Sequence, residues 1–222
     1  MTDLVTLTDP RSPVSEAYRS LRTNLAFARP DEELRTLLVT SPAPEEERSA
    51  TVANLAVVSA QSGRTVIIAD CDLRRPSQHT LFGLDNEAGV TTALLDDDVL
   101  AAPPLQETGV EGLRVLTSGP VPPNPAELLG SRRMGALVSR LAADADLVLF
   151  EAPPLVPVTD GAVLAPLLDG TLLVLAAGSS RRDQTERARE ILDNVGARLV
   201  GVVLTDVDPD EAGYGYYGAD KT

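Results

Sequence analysis

The sequence predicts an α/β fold, in which one mostly parallel, doubly wound sheet carries helices on both faces. Apolar runs recur along the chain, and they are continuous rather than alternating, as expected of strands that are buried on both faces. Helical segments separate these runs, which is typical of a parallel sheet. The 222 residues, of which 43% are hydrophobic, are enough for one domain with an ample core.

The predicted elements follow one another in a regular order. The strands cover residues 36–40, 65–70, 113–117, 146–150, 171–176 and 199–205, and the helices cover 15–29, 49–61, 131–142, 159–167 and 183–195. A short helix that carries His79 is also predicted after Pro76. Ser15 is predicted to cap the first helix, which is an addition to the sheet domain. The apolar stripe of this helix consists of Ala17, Leu21 and Leu25. We expect an extended arm at 1–14, one domain at 15–208 and a disordered, tyrosine-containing tail at 209–222.

Composition and charge narrow the class of protein. The net charge of −14 argues against nucleic acid as a partner and against non-specific binding to anionic membranes. The single cysteine cannot form an internal disulfide, which fits a reducing compartment. The sequence shows neither an apolar run of membrane-spanning length nor a signal-peptide pattern, so we expect a cytoplasmic protein. The initiating methionine favours a free-standing protein over an excised domain.

Residues 41–50 lie between a predicted strand and a predicted helix, which is the context of a phosphate-binding loop. A working loop would read G-x-x-x-x-G-K-[ST], or the shorter G-x-G-K-[ST]. Here Glu45 and Glu47 occupy glycine positions, Arg48 replaces the lysine, and Ser49 is retained. The sequence therefore predicts the frame of a nucleotide-binding protein with a degenerate phosphate cradle.

The acidic loop has a direct electrostatic consequence. A carboxylate about 5 Å from a phosphate charge repels it by roughly 3 kcal/mol at an effective dielectric constant of about 20. We therefore expect no nucleotide to bind tightly. The start of the helix would then keep unpaired N–H groups and a positive dipole end. We hypothesise that Glu45, Glu46 or Glu47 fills the former phosphate position and pairs with Arg48.

Carboxylates follow two of the predicted strands. Asp70 and Asp72 end one strand, and Glu151 ends another. Ligands of open α/β sheets bind at the carboxyl ends of the strands, where these acids could hold Mg²⁺ through water, with Arg74 or Arg75 facing a phosphate. Two simpler interpretations stay open at this point: a solvated Asp turn with the arginines as charge partners, and a strand that ends before a Pro-Pro turn.

Taken together, these motifs resemble a known family. Residues 12–24, the loop at 41–50, and the segments 70–76, 122–129 and 151–154, followed by a C-terminal tyrosine cluster, are similar to the bacterial tyrosine kinases of capsular and exopolysaccharide synthesis. The resemblance spans nearly the whole chain. It implies a P-loop NTPase-like fold related to cell-division and partition ATPases. It also implies a membrane polysaccharide co-polymerase or adaptor as a partner, which would recruit the chain to the inner face of the membrane.

The resemblance also implies roles for individual residues. Asp70 and Asp72 would be catalytic acids, and Ser49, Asp70 and Glu151 would hold Mg²⁺, with Glu151 standing where the family has aspartate. Ala50 stands where the family has a hydroxyl residue. The E-x-x-R-x-x-R motif, formed by Glu16, Arg19 and Arg22, would make a contact between subunits. The tail would be phosphorylated at Tyr214, Tyr216 and Tyr217. For the helix triad, a solvated face with intrahelical pairs is the alternative.

Two functional hypotheses follow. The first is a pseudokinase that acts as an interaction or regulatory subunit in polysaccharide synthesis, associates with itself through its N-terminal helix, and has a tail modified by a competent kinase paralogue and a phosphatase. The second is an active, autophosphorylating kinase that binds ATP or ADP and Mg²⁺ through an unusual loop. A partition-type ATPase is a weaker third hypothesis, because such proteins also need the loop lysine.

Overall fold

A computed structural model describes residues 4–27, 34–44 and 47–207 of the chain. Within these ranges the sheet has seven strands: β1 (Thr36–Thr40), β2 (Val66–Asp70), β3 (Gln106–Glu107), β4 (Leu113–Leu116), β5 (Leu147–Glu151), β6 (Gly170–Ala176) and β7 (Leu199–Thr205). Their order across the sheet is β3-β4-β2-β5-β1-β6-β7. Every pairing is parallel except that of β3 with β4. The predicted doubly wound, mostly parallel sheet is therefore confirmed.

The helices of the described residues connect these strands. They are α1 (Val5–Thr8), α2 (Pro13–Phe27), α3 (Arg48–Ala60), α4 (Gln78–Phe82), α5 (Val90–Leu95), α6 (Asp97–Ala101), α7 (Pro125–Leu129), α8 (Arg132–Asp144), α9 (Asp160–Leu164) and α10 (Arg182–Asn194). A 3₁₀ turn at Ala165–Leu167 extends α9. None of these helices is both long and apolar enough to cross a membrane.

Two apolar clusters cover the two faces of the sheet. On β1, Leu37 belongs to one cluster and the next residue, Leu38, to the other, as the pleat of a strand requires. The Leu37 cluster is filled mainly by α3. The Leu38 cluster is filled by α5, α8 and α10. Because both faces are covered, the strands read as continuous apolar runs in the sequence.

The six predicted strands correspond to β1, β2, β4, β5, β6 and β7, with boundaries within about two residues of the prediction. The five predicted helices of nine or more residues correspond equally well to α2, α3, α8, α10 and to α9 together with its 3₁₀ turn. The prediction did not include β3, nor the short helices α1, α5, α6 and α7. Segments of four to six residues are too short for a helical period to be recognised in the sequence, so their conformation depends on tertiary contacts.

The N-terminal segment differs from the predicted extended arm. Val5–Thr8 form the helical turn α1, and Leu4 and Thr6 are buried. Helix α2 begins at Pro13 rather than at Ser15, and Ser12 is the residue that caps it, because the Ser12 hydroxyl accepts a hydrogen bond from the backbone N–H of Ser15 (3.1 Å). Proline suits the first helical position, where no N–H partner is needed. The predicted tail at 209–222 lies outside the described residues.

Candidate functional site

The candidate site lies at the carboxyl ends of three adjacent strands, β2, β5 and β1. Asp70 is the last residue of β2 and is paired in register with Glu151, the last residue of β5. From β1 the chain leads into the loop that begins at Ser41, and α3 begins at Arg48. The sheet order therefore brings together residues that are far apart in the sequence. This is the edge at which open α/β sheets bind their ligands.

Arg48 lies inside the protein and bridges two acids. Its Nη2 atom is 2.7 Å from Asp72 Oδ2, and its Nε atom is 3.2 Å from Glu151 Oε1. Nη1 lies 3.4 Å from the hydroxyl of Ser41. The Arg48 side chain is only 8% exposed, so these contacts are protected from water. A planar guanidinium can meet two carboxylates at once in a way that a lysine ammonium cannot.

Both carboxylate oxygens of Glu151 have partners. Oε1 accepts from the Ser49 hydroxyl as well as from Arg48. Oε2 accepts a 2.6 Å hydrogen bond from Nε2 of Gln78, which also donates to the backbone oxygen of Ser49 (3.1 Å). Glu151 is fully buried, so its charge is compensated by these donors rather than by water. The extra methylene that distinguishes glutamate from aspartate lengthens the reach of this carboxylate.

Asp70 is bound by backbone groups. Its Oδ2 accepts from the N–H groups of Ser77 and Gln78 (3.0 Å each), and its Oδ1 accepts from the N–H of Asp72 (3.2 Å). Burial raises the pKa of Asp70 well above its ordinary value, and Glu151 adds to the rise. Burial also raises the pKa of Asp72, while Arg48 opposes that rise. The site thus holds three acids against one buried guanidinium.

The predicted metal ligands Ser49, Asp70 and Glu151 lie at the same edge of the sheet, but their oxygens already have partners. Ser49 donates to Glu151, which also pairs with Arg48, and Asp70 accepts from backbone N–H groups. The position between Asp72 and Glu151 is held by the guanidinium. Within the described ranges, no group of three His, Cys, Asp or Glu side chains could hold a metal ion. As arranged, the residues therefore do not fit Mg²⁺.

Of the three glutamates in the loop, Glu47 lies among the described residues. Glu47 precedes α3, is exposed, and makes no capping hydrogen bond through its side chain, so it does not fill the former phosphate position. The described partners of Arg48 are Ser41, Asp72 and Glu151 instead. Glu45 and Glu46 lie outside the described residues. Ala50 lies within the first turn of α3.

The structure adds two site residues to those predicted from the sequence. One is Gln78, described above. The other is Asp160, fully buried at the start of α9, which binds Arg74 through both carboxylate oxygens (2.9 and 3.1 Å). This supports the charge-partner interpretation for Arg74, whose side chain is 41% exposed. Neither residue could be recognised in the sequence, since each belongs to a separate short helix that meets the site only in the folded chain.

The predicted subunit-contact triad lies on α2 and has partners within the chain. Arg19 pairs with Glu16 at 2.9 Å and donates to the backbone oxygen of Pro10. Arg22 donates to the backbone oxygen of Val58 on α3 (3.0 Å). The intrahelical pair of the alternative interpretation is therefore present, although Glu16 and Arg19 remain partly exposed. The predicted phosphorylation sites Tyr214, Tyr216 and Tyr217 lie outside the described residues.

Comparison with known proteins identifies the family. No protein-family model matches the chain. The tyrosine-protein kinase YwqD of Bacillus subtilis (strain 168) is 40% identical over 217 residues, which cover 97% of this chain and 91% of YwqD. The putative tyrosine-protein kinase CapB of Staphylococcus aureus is 34% identical over 213 residues, which cover 95% of this chain and 93% of CapB. The tyrosine-protein kinase Etk of Escherichia coli (strain K12) is 35% identical over 199 residues, which cover 90% of this chain but 27% of Etk.

Solved structures agree with the sequence comparison. The kinase domain of the E. coli tyrosine kinase Etk superimposes with a TM-score of 0.87 at 34% identity, covering 92% of this chain and 80% of that domain. The septum site-determining protein MinD of Pyrococcus horikoshii OT3, in complex with Mg-ADP, shares the fold with a TM-score of 0.64 at 20% identity, covering 80% of this chain and 75% of MinD. The P-loop NTPase-like fold is thus shared with both. The chain belongs to the family of bacterial tyrosine-protein kinases.

Proposed function

We propose that this chain is a pseudokinase of the family, acting as an interaction or regulatory subunit in capsule or exopolysaccharide synthesis. The observation that carries the proposal is the position of Arg48. It stands where the phosphate-binding loop needs lysine, yet its guanidinium points inward to Asp72 and Glu151. A cation that is already bridging two acids cannot also meet the phosphates of a nucleotide.

The retained hydroxyl supports the same proposal. Ser49 is the one residue of the loop motif that the sequence keeps, and its side chain donates to Glu151. Binding of Mg²⁺ and nucleotide would have to break this bond and both bonds of Arg48 to the acids. Each broken contact would leave a buried charge or donor to be satisfied anew. ATP, ADP and Mg²⁺ are therefore not expected to bind tightly.

The partner that we propose is a membrane polysaccharide co-polymerase or adaptor, which would hold the cytoplasmic chain at the inner face of the membrane. Two comparisons support a separate partner. The matched region is less than a third of Etk, whereas it is nearly the whole of YwqD and CapB. A kinase of this family can therefore occur as a chain separate from the remaining sequence of Etk, as in YwqD and CapB. Co-purification of the tagged chain with its membrane fraction tests this; recovery in the soluble fraction alone, from cells making the polysaccharide, would contradict it.

Nucleotide binding is the first test. We expect calorimetric titration of the purified chain with Mg-ADP at low salt to give no heat up to millimolar nucleotide. Micromolar binding would mean that Arg48 leaves its acids readily, and the pseudokinase proposal would fail. The denatured chain provides the blank for heats of dilution.

Variants that restore the family residues test which substitutions impair nucleotide binding. The variant Glu45→Gly, Glu47→Gly, Arg48→Lys and Ala50→Thr restores the family pattern in the loop, and a second variant adds Glu151→Asp. Because Glu151 is held by Ser49 and Gln78, we expect the five-fold variant to bind Mg-ADP more tightly than the four-fold variant. Equal affinity of the two would show that Glu151 has no part in the defect.

A second candidate is an active, autophosphorylating kinase. Asp70 and Asp72 are both retained, and they lie side by side at the carboxyl edge of the sheet. Under this candidate the chain, produced in a host without tyrosine kinases, should carry phosphotyrosine at Tyr214, Tyr216 or Tyr217, and Asp72→Asn should abolish it. Under the pseudokinase proposal the purified chain carries none, and phosphate enters the tail only with a competent kinase paralogue and leaves with a phosphatase.

Self-association through α2 is proposed as well. Glu16 and Arg19 are partly exposed and could exchange their intrahelical pair for one with a second copy. Sedimentation velocity over a range of concentrations should show assembly that Glu16→Lys weakens. A chain that stays monomeric at every concentration would remove this part of the proposal.

A further inference from the structure

A groove runs between the first half of α2 and the end of β7, beside the degenerate loop. Its cavity is about 360 Å³. The walls are mostly apolar and consist of Val14, Ala17, Tyr18 and Leu21 from α2, with Leu204 and Val207 from the β7 side. Val14 is 45% exposed and Leu204 is 54% exposed, so the groove is open to solvent. The groove is separate from the buried cluster around Arg48.

Three polar residues line the groove, and all of them offer oxygen acceptors. They are Glu47, Thr205 and Asp206. The ring of Tyr18 forms part of the wall, but its hydroxyl is turned inward to Thr51 and Asn54. An occupant that fits must therefore have an apolar body and a hydrogen-bond donor at its tip, and it must not carry negative charge. A phenol ring has this combination.

The described chain ends at this groove. Val207, the last described residue, is one of the lining residues, and residues 208–222 follow it. The backbone of Asp206 takes a left-handed φ of 56°, which turns the chain at the end of β7. Tyr214 lies seven positions after Val207, which lets the chain span up to about 23 Å. The three tyrosines that follow are thus within reach of the groove.

We propose that a tyrosine of the chain's own C-terminal segment, one of Tyr214, Tyr216 and Tyr217, docks in this groove, with its ring against Tyr18 and its hydroxyl donating to Glu47 or Asp206. The acidic residues of the same segment are repelled by those two carboxylates. The groove therefore favours the tyrosine rings of this segment over its acidic side chains. Docking of this kind does not involve nucleotide, so it goes beyond the proposed function and holds for a pseudokinase and for an active kinase alike.

The test uses the full chain with 3-fluorotyrosine in place of tyrosine. The sequence contains four tyrosines, so ¹⁹F NMR should give four resonances, assigned by single Tyr→Phe variants. We expect one tail resonance to lie away from its position in urea and to return to that position in the Val14→Asp variant. Aspartate is favourable near a helix N-terminus, so this variant keeps α2 intact. Val121→Asp is the matched control, since Val121 is 64% exposed and is not a lining residue.

A second readout does not depend on altering the groove. Replacing the docked tyrosine by alanine should shift the resonance of Tyr18, and replacing either of the other two should not. Three tail resonances at their urea positions in the native chain would overturn the proposal. So would a displaced resonance that returns to its urea position on dilution, because the occupant would then be the tail of a second copy.

Discussion

At the scale of single residues, the exchange of lysine for arginine at position 48 changes what the loop can hold. The guanidinium is a rigid fork with donors on two sides, and here it donates to Asp72, which follows β2, and to Glu151, which ends β5. Charge-assisted hydrogen bonds of this kind are about twice as strong as neutral ones. In this buried setting Arg48 acts as the cation of the site.

Arg48→Met tests the energetic weight of this contact. The side chain keeps a comparable length, but Asp72 and Glu151 lose their positive partner inside the protein. We expect the free energy of unfolding to fall by about 3–5 kcal/mol, as when one partner of a buried ion pair is removed. Urea unfolding followed by circular dichroism measures it.

Arg182→Met is the control for this substitution. The Arg182 side chain is 92% exposed and pairs with Glu186 on the surface, so we expect a loss of under about 1 kcal/mol. Equal effects of the two substitutions would show that the buried bridge does not stabilise the fold.

The positions of some site residues could be predicted from the sequence, and those of others could not. Asp70, Asp72 and Glu151 could be placed together from the sequence, because the carboxyl ends of parallel strands meet at one edge. The inward direction of the Arg48 side chain could not be predicted, since it depends on how far the Glu151 carboxylate extends and on the position of Asp72. Gln78 gave no signal of its own: a buried glutamine beside an acid is recognised only when the short helix that carries it has been placed.

At the scale of elements, the N-terminal turn α1 is held by tertiary contacts with α2 and α3. The backbone N–H and the hydroxyl of Thr6 both donate to Asn54 Oδ1, at 3.1 and 2.8 Å. Asn54 Nδ2 in turn donates to the backbone oxygen of Ala50 (2.8 Å). Residues 5–8 read Val-Thr-Leu-Thr, three of them β-branched, so local propensity does not predict a helix there. Tertiary hydrogen bonds therefore decide this conformation.

Asn54→Ala should detach α1 from α3. It leaves two donors of the buried Thr6 without their acceptor, and we expect a loss of about 1–3 kcal/mol in the free energy of unfolding. Limited proteolysis under native conditions should also cut earlier within residues 4–14 than in the parent chain. Ser139→Ala removes an exposed hydroxyl from α8 and serves as the control. An unchanged cleavage pattern would mean that α1 is held without the hydrogen bonds to Asn54.

At the scale of the whole molecule, the architecture could be predicted because it depends on patterns that repeat. The long strands are apolar throughout, and the long helices separate them, so sequence periodicity determines the class of the sheet. The position of β3 at the edge could not be predicted, because two residues carry no period. The apolar groove between α2 and β7 was missed for a related reason: its two walls come from opposite ends of the chain.

The pH dependence of the free energy of unfolding is a property of the whole molecule, because every acid whose pKa changes on folding contributes to it. Asp70 and Asp72 have raised pKa values in the folded chain, so the folded state binds more protons than the unfolded state above pH 3.8. Their contribution to the free energy of unfolding is therefore present at acid pH and is lost as the pH rises from 3.8 through their folded pKa values. For Asp144 and Asp146, hydrogen bonds lower the pKa, and their contribution is lost as the pH falls below 3.8.

We therefore expect Asp70 and Asp72 to make the free energy of unfolding decline as the pH rises above 3.8. Urea unfolding at a series of pH values measures this decline. Asp70→Asn should flatten the decline, since asparagine cannot ionise. It should also lower stability overall, because its amide nitrogen would face a backbone N–H that now donates to Asp70. A parent and an Asn variant with parallel pH profiles would show that folding does not raise the pKa of Asp70.

The bridge from Arg48 to Asp72 and Glu151 has a consequence for attempts to restore a phosphate-binding loop by mutation. Changing Arg48 to lysine by itself removes a fork that two buried acids need, and changing Glu151 to aspartate by itself shortens the arm that Ser49, Gln78 and Arg48 all hold. Either substitution made alone is therefore expected to give a less stable protein. A lysine at position 48 thus has to be introduced together with a change at Glu151, and not before it.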